Sequence, residues 1–311
     1  MKQKINDFLR RLSRGPLGPV MCFLWDVLVF LEIQVFKLYF LLKGVPRPTK
    51  AQQDLVRENV TFVYKSFQRQ RLAKRLYRNI QAYYPGVRVI IADDSSQPLQ
   101  LEGPGLQIVQ LPFNVGLSAG LNRALALVET PFVIRMDDDE LLSGRSDFHH
   151  HLQFLLDHPE VDLVGILHMD FPWKKGWKQK QTAHYMSFTM SGAPKALKIP
   201  HGTRISENRA VTGKTPNIFI VRTGAYREIG YDDHIRIMDH QDFFFRAAGN
   251  LVAVLDWGSF IFHDHCPFNR AYQVYRSDYM GDRRYIAMKM AACFHRISMA
   301  PTAQEQQNEN G

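Results

Sequence analysis

At 311 residues, 45% hydrophobic and 22% charged, the chain is long enough for one large folded domain and too ordinary in composition for a disordered or fibrous protein. Its formal net charge of +9 points to an anionic partner: nucleic acid, membrane lipid or a phosphorylated substrate. Three widely spaced cysteines, Cys22, Cys266 and Cys293, without a CxxC pair, weigh against a disulfide framework or a zinc site and favour a reducing compartment.

Residues 1–15 are basic, with Lys2, Lys4, Arg10, Arg11 and Arg14. Residues 16–43, "PLGPVMCFLWDVLVFLEIQVFKLYFLLK", are apolar enough to span a bilayer, but Asp26, Glu32 and Lys37 interrupt them. Each would cost about 2.5–3.5 kcal/mol at the centre of a membrane helix. The expectation is a helix lying in the membrane interface with its basic flank on anionic head groups; packing on the protein's own core or on a partner subunit is the competing reading. Residues 44–57, "GVPRPTKAQQDLVR", read as a linker, 58–298 as the globular domain, and 299–311 as a disordered polar tail.

From residue 60 strands and helices alternate. "VTFVYKSF" (60–67), "VRVIIA" (87–92), "LQIVQL" (106–111), "PFVIRM" (131–136) and "VDLVGIL" (161–167) read as strands. Between them, 69–84 places Leu72, Leu76 and Ile80 on one helical face, 116–128 opens at Gly116, and 149–159 reads as a further helix. Such alternation implies an α/β domain with a mostly parallel sheet, whose ligands bind beyond the carboxyl ends of the strands. Three polar groups fall at those ends: Ser66 to Arg69, Asp93 to Ser96, and Asp137 to Glu140. Four consecutive acids repel one another by about 1 kcal/mol per close pair even in water. They imply a positive group among them, unless the run is only a solvated turn.

In order and spacing, "VYKSFQRQRLAKRLYRNI", "VIIADDSS", "FNVGLSAGLNRAL" and "FVIRMDDDE" resemble the nucleotide-sugar half of family 2-type glycosyltransferases with the GT-A fold. "NIFIVRTGAYREIGYDDHIRIMDHQDFFFRAAG" and "FIFHDH" resemble the acceptor half, and the pattern is most similar to the ganglioside-type β1,4-N-acetylgalactosaminyltransferases. The resemblance implies an inverting, metal-dependent transfer of a hexose or N-acetylhexosamine from a UDP-sugar to a glycan or lipid-linked acceptor. It implies Mn²⁺ or Mg²⁺, bound directly by Asp139, with Asp137 on the ribose or a metal-bound water and His265 as a further metal or diphosphate contact. Hard oxygen ligands suit either ion.

One of Asp93 and Asp94 is expected to accept the uracil N3–H, with Ser66, Phe67 and Arg69 near the base and Asn114, Gly116, Asn122 and Asp138 completing the nucleotide site. Asp242 matches the family's general base, with Asp239 as the rival. In the long segment 168–215, Trp173 and Trp177 are candidates to stack on sugars, and beyond it Tyr272 and Arg276 are candidates for the diphosphate. Two other classes compete: a nucleotidyltransferase acting on sugar phosphates, and a non-catalytic nucleotide-sugar-binding relative. Nucleic acid is not expected, since no binding motif accompanies the charge. The expected location is the cytoplasmic face of a bacterial inner membrane, with a Golgi type II protein as the alternative.

Overall fold

The computed structural model describes residues 17–171, 177–187, 195–264, 266, 268–269, 272, 274–275 and 279–299. Ten strands form one sheet: β1 Val60–Ser66, β2 Arg88–Asp93, β3 Leu106–Gln110, β4 Phe132–Asp137, β5 Glu140–Leu141, β6 Leu163–Asp170, β7 Arg204–Ser206, β8 Arg209–Val211, β9 Phe219–Arg222 and β10 Ala253–His263. Their order is β3-β2-β1-β4-β9-β6-β10-β8-β7, with β5 on β10. The expected parallel arrangement holds for β3, β2, β1 and β4 and for the β6–β10 pair. The sheet as a whole is mixed, because β9 enters antiparallel between β4 and β6, and β5, β7 and β8 also pair antiparallel.

Strand β1 is buried along its whole length, as a central parallel strand covered on both faces must be. One cover is α3, Gln70–Tyr83, which buries Leu72, Leu76 and Ile80 as the periodicity predicts. The other includes α4, Leu117–Ala126, whose Leu121, Ala124 and Leu125 join the opposite core. Helix α5, Phe148–Asp157, adds Phe148, Leu152 and Leu155 to the α3 side, and α7, Thr223–Ile229, which follows β9, buries Tyr226 in the α4 side.

Two regions differ from the sequence-based expectation. The stretch read as a linker ends in helix α2, Lys50–Asn59, opened by a capping box between Thr49 and Gln52. Its polarity hid a single buried anchor, Val56. The apolar N-terminal segment is helix α1, Gly18–Leu42, about 37 Å long at 1.5 Å per residue. It does not stand away from the domain. Val29, Ile33 and Phe40 are buried against Leu141, Met169, Phe171 and Phe262, on the face where β5, β10 and β6 lie side by side. Gly144 makes this approach possible, because a Cβ there would meet the Phe40 ring at 3.0 Å. Trp25 and Phe36 pack half-buried on the same cluster, whereas Phe23, Leu24, Phe30, Leu31, Val35 and Leu41 are exposed.

Burying Val29, Ile33 and Phe40 stabilises the domain by an amount on the order of 5 kcal/mol. Deleting residues 1–43 is therefore expected to lower the unfolding midpoint by about 10 °C or more. Thermal unfolding of both chains in the same detergent measures this; equal midpoints would show that the stripe contributes nothing.

Candidate active site

A cleft of about 540 Å³ opens beyond the carboxyl ends of β1 and β4. Phe67, Arg69, Asn114, Gly116, Asp137, Asp138 and Asp139 line it, so seven of the residues predicted for the nucleotide and metal site converge there, joined by Asp239 and Tyr272, two other candidates named from the sequence. Asn114 and Gly116 reach it through a turn in which Asn114 has φ +55° and Gly116 φ +105°, the latter with its α-carbon packed beside Arg236.

The acidic run resolves into four separate partnerships. Asp137 receives the Arg135 guanidinium at 2.9 Å and remains one-third exposed to the cleft. Asp138 is buried and pairs with Arg69. Asp139 accepts from the other Arg69 nitrogen at 2.8 Å and faces His263 Nε2 at 3.8 Å. Glu140 is buried; it bonds His168 at 2.7 Å and accepts the Asp137 backbone N–H at 2.8 Å, which pins the turn. Repulsion among the acids is thus offset by Arg135, Arg69 and the two histidines. Burial still pushes the Asp138 carboxyl up to about 7, with Arg69 opposing it. At His263, burial opposes the charge, but the bond to Asp170 and the Asp139 and Glu140 carboxylates outweigh it and lift the imidazole to about 9. The guanidinium of Arg69 also lies 3.7 Å from the centre of the Tyr272 ring.

The strand-end pair Asp93 and Asp94 divides in role. Both oxygens of Asp93 serve its own loop, accepting from the Ser95 hydroxyl at 2.7 Å and the Leu99 N–H at 2.8 Å. Asp94 pairs with Lys65 and accepts the Gly116 N–H at 3.3 Å, and both of those partners line the cleft. Ser66 is fully buried, with its hydroxyl unpartnered among the described residues. Phe67, Phe113 and Tyr275 form an aromatic group beside it, with Phe67 and Tyr275 ring centres 5.1 Å apart.

Ser66, Asp93 and Asp94 stand behind the cleft wall rather than in it, and Asn122 and Asp242 are likewise outside the lining. Asn122 is spent on the α4 packing, donating to the Tyr231 carbonyl at 2.8 Å and accepting the Tyr231 N–H at 2.9 Å. Asp242 lies on α8, Asp239–Ala247, buried between Arg246 at 2.8 Å and Lys289 of α9, Met280–Met299, at 2.7 Å. Asp239, on the first turn of the same helix, lines the cleft instead and approaches Arg135 at 3.4 Å. Burial raises its carboxyl to about 6, against the pull of that guanidinium. His265, Trp173 and Arg276 lie outside the described residues, as does the side chain of Trp177, which opens the helix α6, Trp177–Met186.

Lys65, Arg135, His168 and Asp170 were not singled out from the sequence. For the first two a signal existed: a lone cation inside an apolar strand, "FVYKS" or "FVIRMD", must find a buried carboxylate.

The carboxylates fit a hard divalent cation. Asp137 and Asp139 both face the cleft, and Asp138 Oδ2 is buried without a hydrogen bond among the described residues. No three such side chains among the described residues already form a ligand cluster. Mg²⁺-type sites take one or two carboxylates and leave the rest to substrate phosphates and water.

The sequence model of glycosyl transferase family 2 matches residues 60–230. Over 199 residues the chain is 28% identical to the β-1,4 N-acetylgalactosaminyltransferase 2 of Mus musculus, covering 63% of this chain and 38% of that protein. Over 194 residues it is 30% identical to the β-1,4 N-acetylgalactosaminyltransferase 1 of Homo sapiens, covering 62% and 36%. The match thus spans less than two-fifths of these relatives' length. Among solved structures, S. aureus TarS 1-349 in complex with UDP-GlcNAc aligns over 66% of this chain and 58% of that one, at a TM-score of 0.48 and 15% identity.

Proposed function

Because the chain belongs to glycosyl transferase family 2, we propose that it transfers a hexose or N-acetylhexosamine from a UDP-sugar to a glycan or lipid-linked acceptor, with inversion at the anomeric carbon. The observation that carries this reading is one cleft holding both the acidic turn 137–139 and a separate carboxylate, Asp239. A nucleotide diphosphate leaving as an anion needs positive charge beside it, and an attacking hydroxyl needs a base that is not itself held as a metal ligand. Turnover of UDP-sugars by the purified chain, with release of UDP, tests the reading; a chain that binds UDP-sugar without releasing UDP would be a binding relative.

Asp137 and Asp139 would hold Mn²⁺ or Mg²⁺, which when bound supplies charge to the departing diphosphate. Arg69 holds Asp139 and Asp138 in place from one side, and His263 faces Asp139 from the other. Asp239 accepts the acceptor hydroxyl's proton as oxygen attacks the anomeric carbon. Arg135, between Asp137 and Asp239, fixes the spacing of the two carboxylates. The geometry thus favours Asp239 over Asp242, whose two oxygens are taken up by Arg246 and Lys289.

For the base, Asp94 is the better reader of uracil N3–H, since its partners Lys65 and Gly116 line the cleft, whereas the partners of Asp93, Ser95 and Leu99, lie within its own loop. Asp94→Asn is expected to lower the preference for UDP over ADP about tenfold, and Asp93→Asn to leave it unchanged. Calorimetric titration of both nucleotides measures this; an unchanged preference in Asp94→Asn would remove the assignment.

The same reading places α1 in the membrane interface. Its contacts with the domain extend from Trp25, whose Nε1 donates to Asp264 at 2.8 Å, to Phe40, whose ring lies 6.4 Å from Phe262. Fifteen residues separate them, about 22 Å of helix. A helix held along that length cannot cross a bilayer without drawing the domain in with it. Asp26, which interrupts the apolar run, turns to Arg71 at 2.7 Å. On this reading the location is the one expected from the sequence, the cytoplasmic face of a bacterial inner membrane, with a Golgi type II protein as the alternative.

A further inference from the structure

A second cavity, of about 460 Å³, lies at the far end of α1 from the Trp25–Asp264 contact. Its walls are α1 itself, the 45–48 segment, the end of α3 at Tyr83, and the loop 142–147. The lining is divided by chemistry. Leu38, Phe40 and Leu41 give it an apolar wall, while Lys37 and Arg47 stand exposed at its rim. Neither cation has a carboxylate within ion-pair distance among the described residues; Asp147, the cavity's own acid, stands 4.0 Å from Arg145. The contrast with the catalytic cleft is clear, where Lys65, Arg69 and Arg135 are each matched by an aspartate.

A free anion would use the rim and leave the apolar wall wet. A purely apolar ligand would fill the wall and strip water from two charges without compensation. An amphiphile with an anionic head satisfies both. The exposed surface of α1 continues the apolar wall outward through Leu41 and Leu42, at 75% and 77% exposure, so acyl chains leaving the cavity stay on apolar surface. We infer that this cavity seats the head and glycerol region of an anionic phospholipid, its phosphate between Lys37 and Arg47 and its chains along Leu38 and Leu41. The inference rests on α1 lying in the membrane interface, and adds to it a specific second contact.

Full-length protein is titrated with phosphatidylcholine vesicles, with and without phosphatidylglycerol, and bound fractions are read by co-sedimentation. Two neutralising pairs are compared, Lys37→Gln with Arg47→Gln, and the charge-matched Lys2→Gln with Lys4→Gln. The first pair is expected to lose about tenfold or more of the preference for phosphatidylglycerol, and the second pair distinctly less. Both should bind plain phosphatidylcholine like the parent and release UDP from UDP-sugar at the parent rate, which shows that they are folded. Equal losses from the two pairs would overturn the cavity as a lipid site and leave diffuse attraction. Displacement of the parent from phosphatidylglycerol vesicles by soluble glycerol phosphate would overturn it in favour of a free-anion site; none is expected. Failure of the parent to bind any vesicle would instead defeat the interfacial reading of α1.

Discussion

Asp239→Asn is expected to cut sugar transfer by about 10²–10⁴-fold while UDP-sugar affinity stays near that of the parent. The amide keeps the shape of the side chain and its contact with Arg135, so the cleft should persist. What it removes is the ability to take a proton. The same assignment fixes a pH dependence. Burial raises the Asp239 carboxyl to about 6, and only its ionised form is a base, so kcat/KM should rise through about pH 6 and be lost as pH falls below it. In Asp239→Asn that limb should vanish from whatever activity remains. Asp242→Asn has a different signature. It leaves Arg246 and Lys289 short of a partner around a buried site, so it should lower the unfolding midpoint and leave the acid limb in place. If Asp242→Asn instead lost transfer at parent stability while Asp239→Asn kept it, the base would be Asp242.

Asp139→Asn is expected to abolish the effect of Mn²⁺ on UDP binding and, with it, transfer. One hard ligand in a site that draws only one or two from the protein cannot be spared. The readout is calorimetric: UDP affinity with and without Mn²⁺, which separates metal binding from chemistry. Arg69 keeps its second partner, Asp138, so the arginine is not orphaned and the fold should hold. Full-rate transfer by the parent in EDTA would rule out the metal altogether.

How far the sequence alone reaches can be seen residue by residue. The parallel core and the strand-end placement of Asp94 and the acidic turn are legible, because strand alternation and the position of an acid at a strand end are local properties. The seven cleft residues predicted together share that origin: each lies on a strand end or the turn after it.

Tertiary packing decided the rest. Asp239 and Asp242 lie on one helical turn, three residues apart; burial of Phe243 and Phe244 in the core sets the rotation of α8, and so which acid faces the cleft. The partner of the Asp239 carboxylate, Arg135, is 104 residues away, and that of Trp25, Asp264, is 239 away, separations that no window along the chain can join. For α1 the composition was apolar all round, so no period marked an inner face. The sequence by itself determined that this segment seeks an apolar surface; only the sheet face at Leu141, Met169 and Phe262 decided that part of that surface is the protein's own. The physical reason is the same throughout. Local sequence sets backbone conformation and sidedness, whereas the matching of one buried charge or one apolar stripe to another depends on where the whole chain returns.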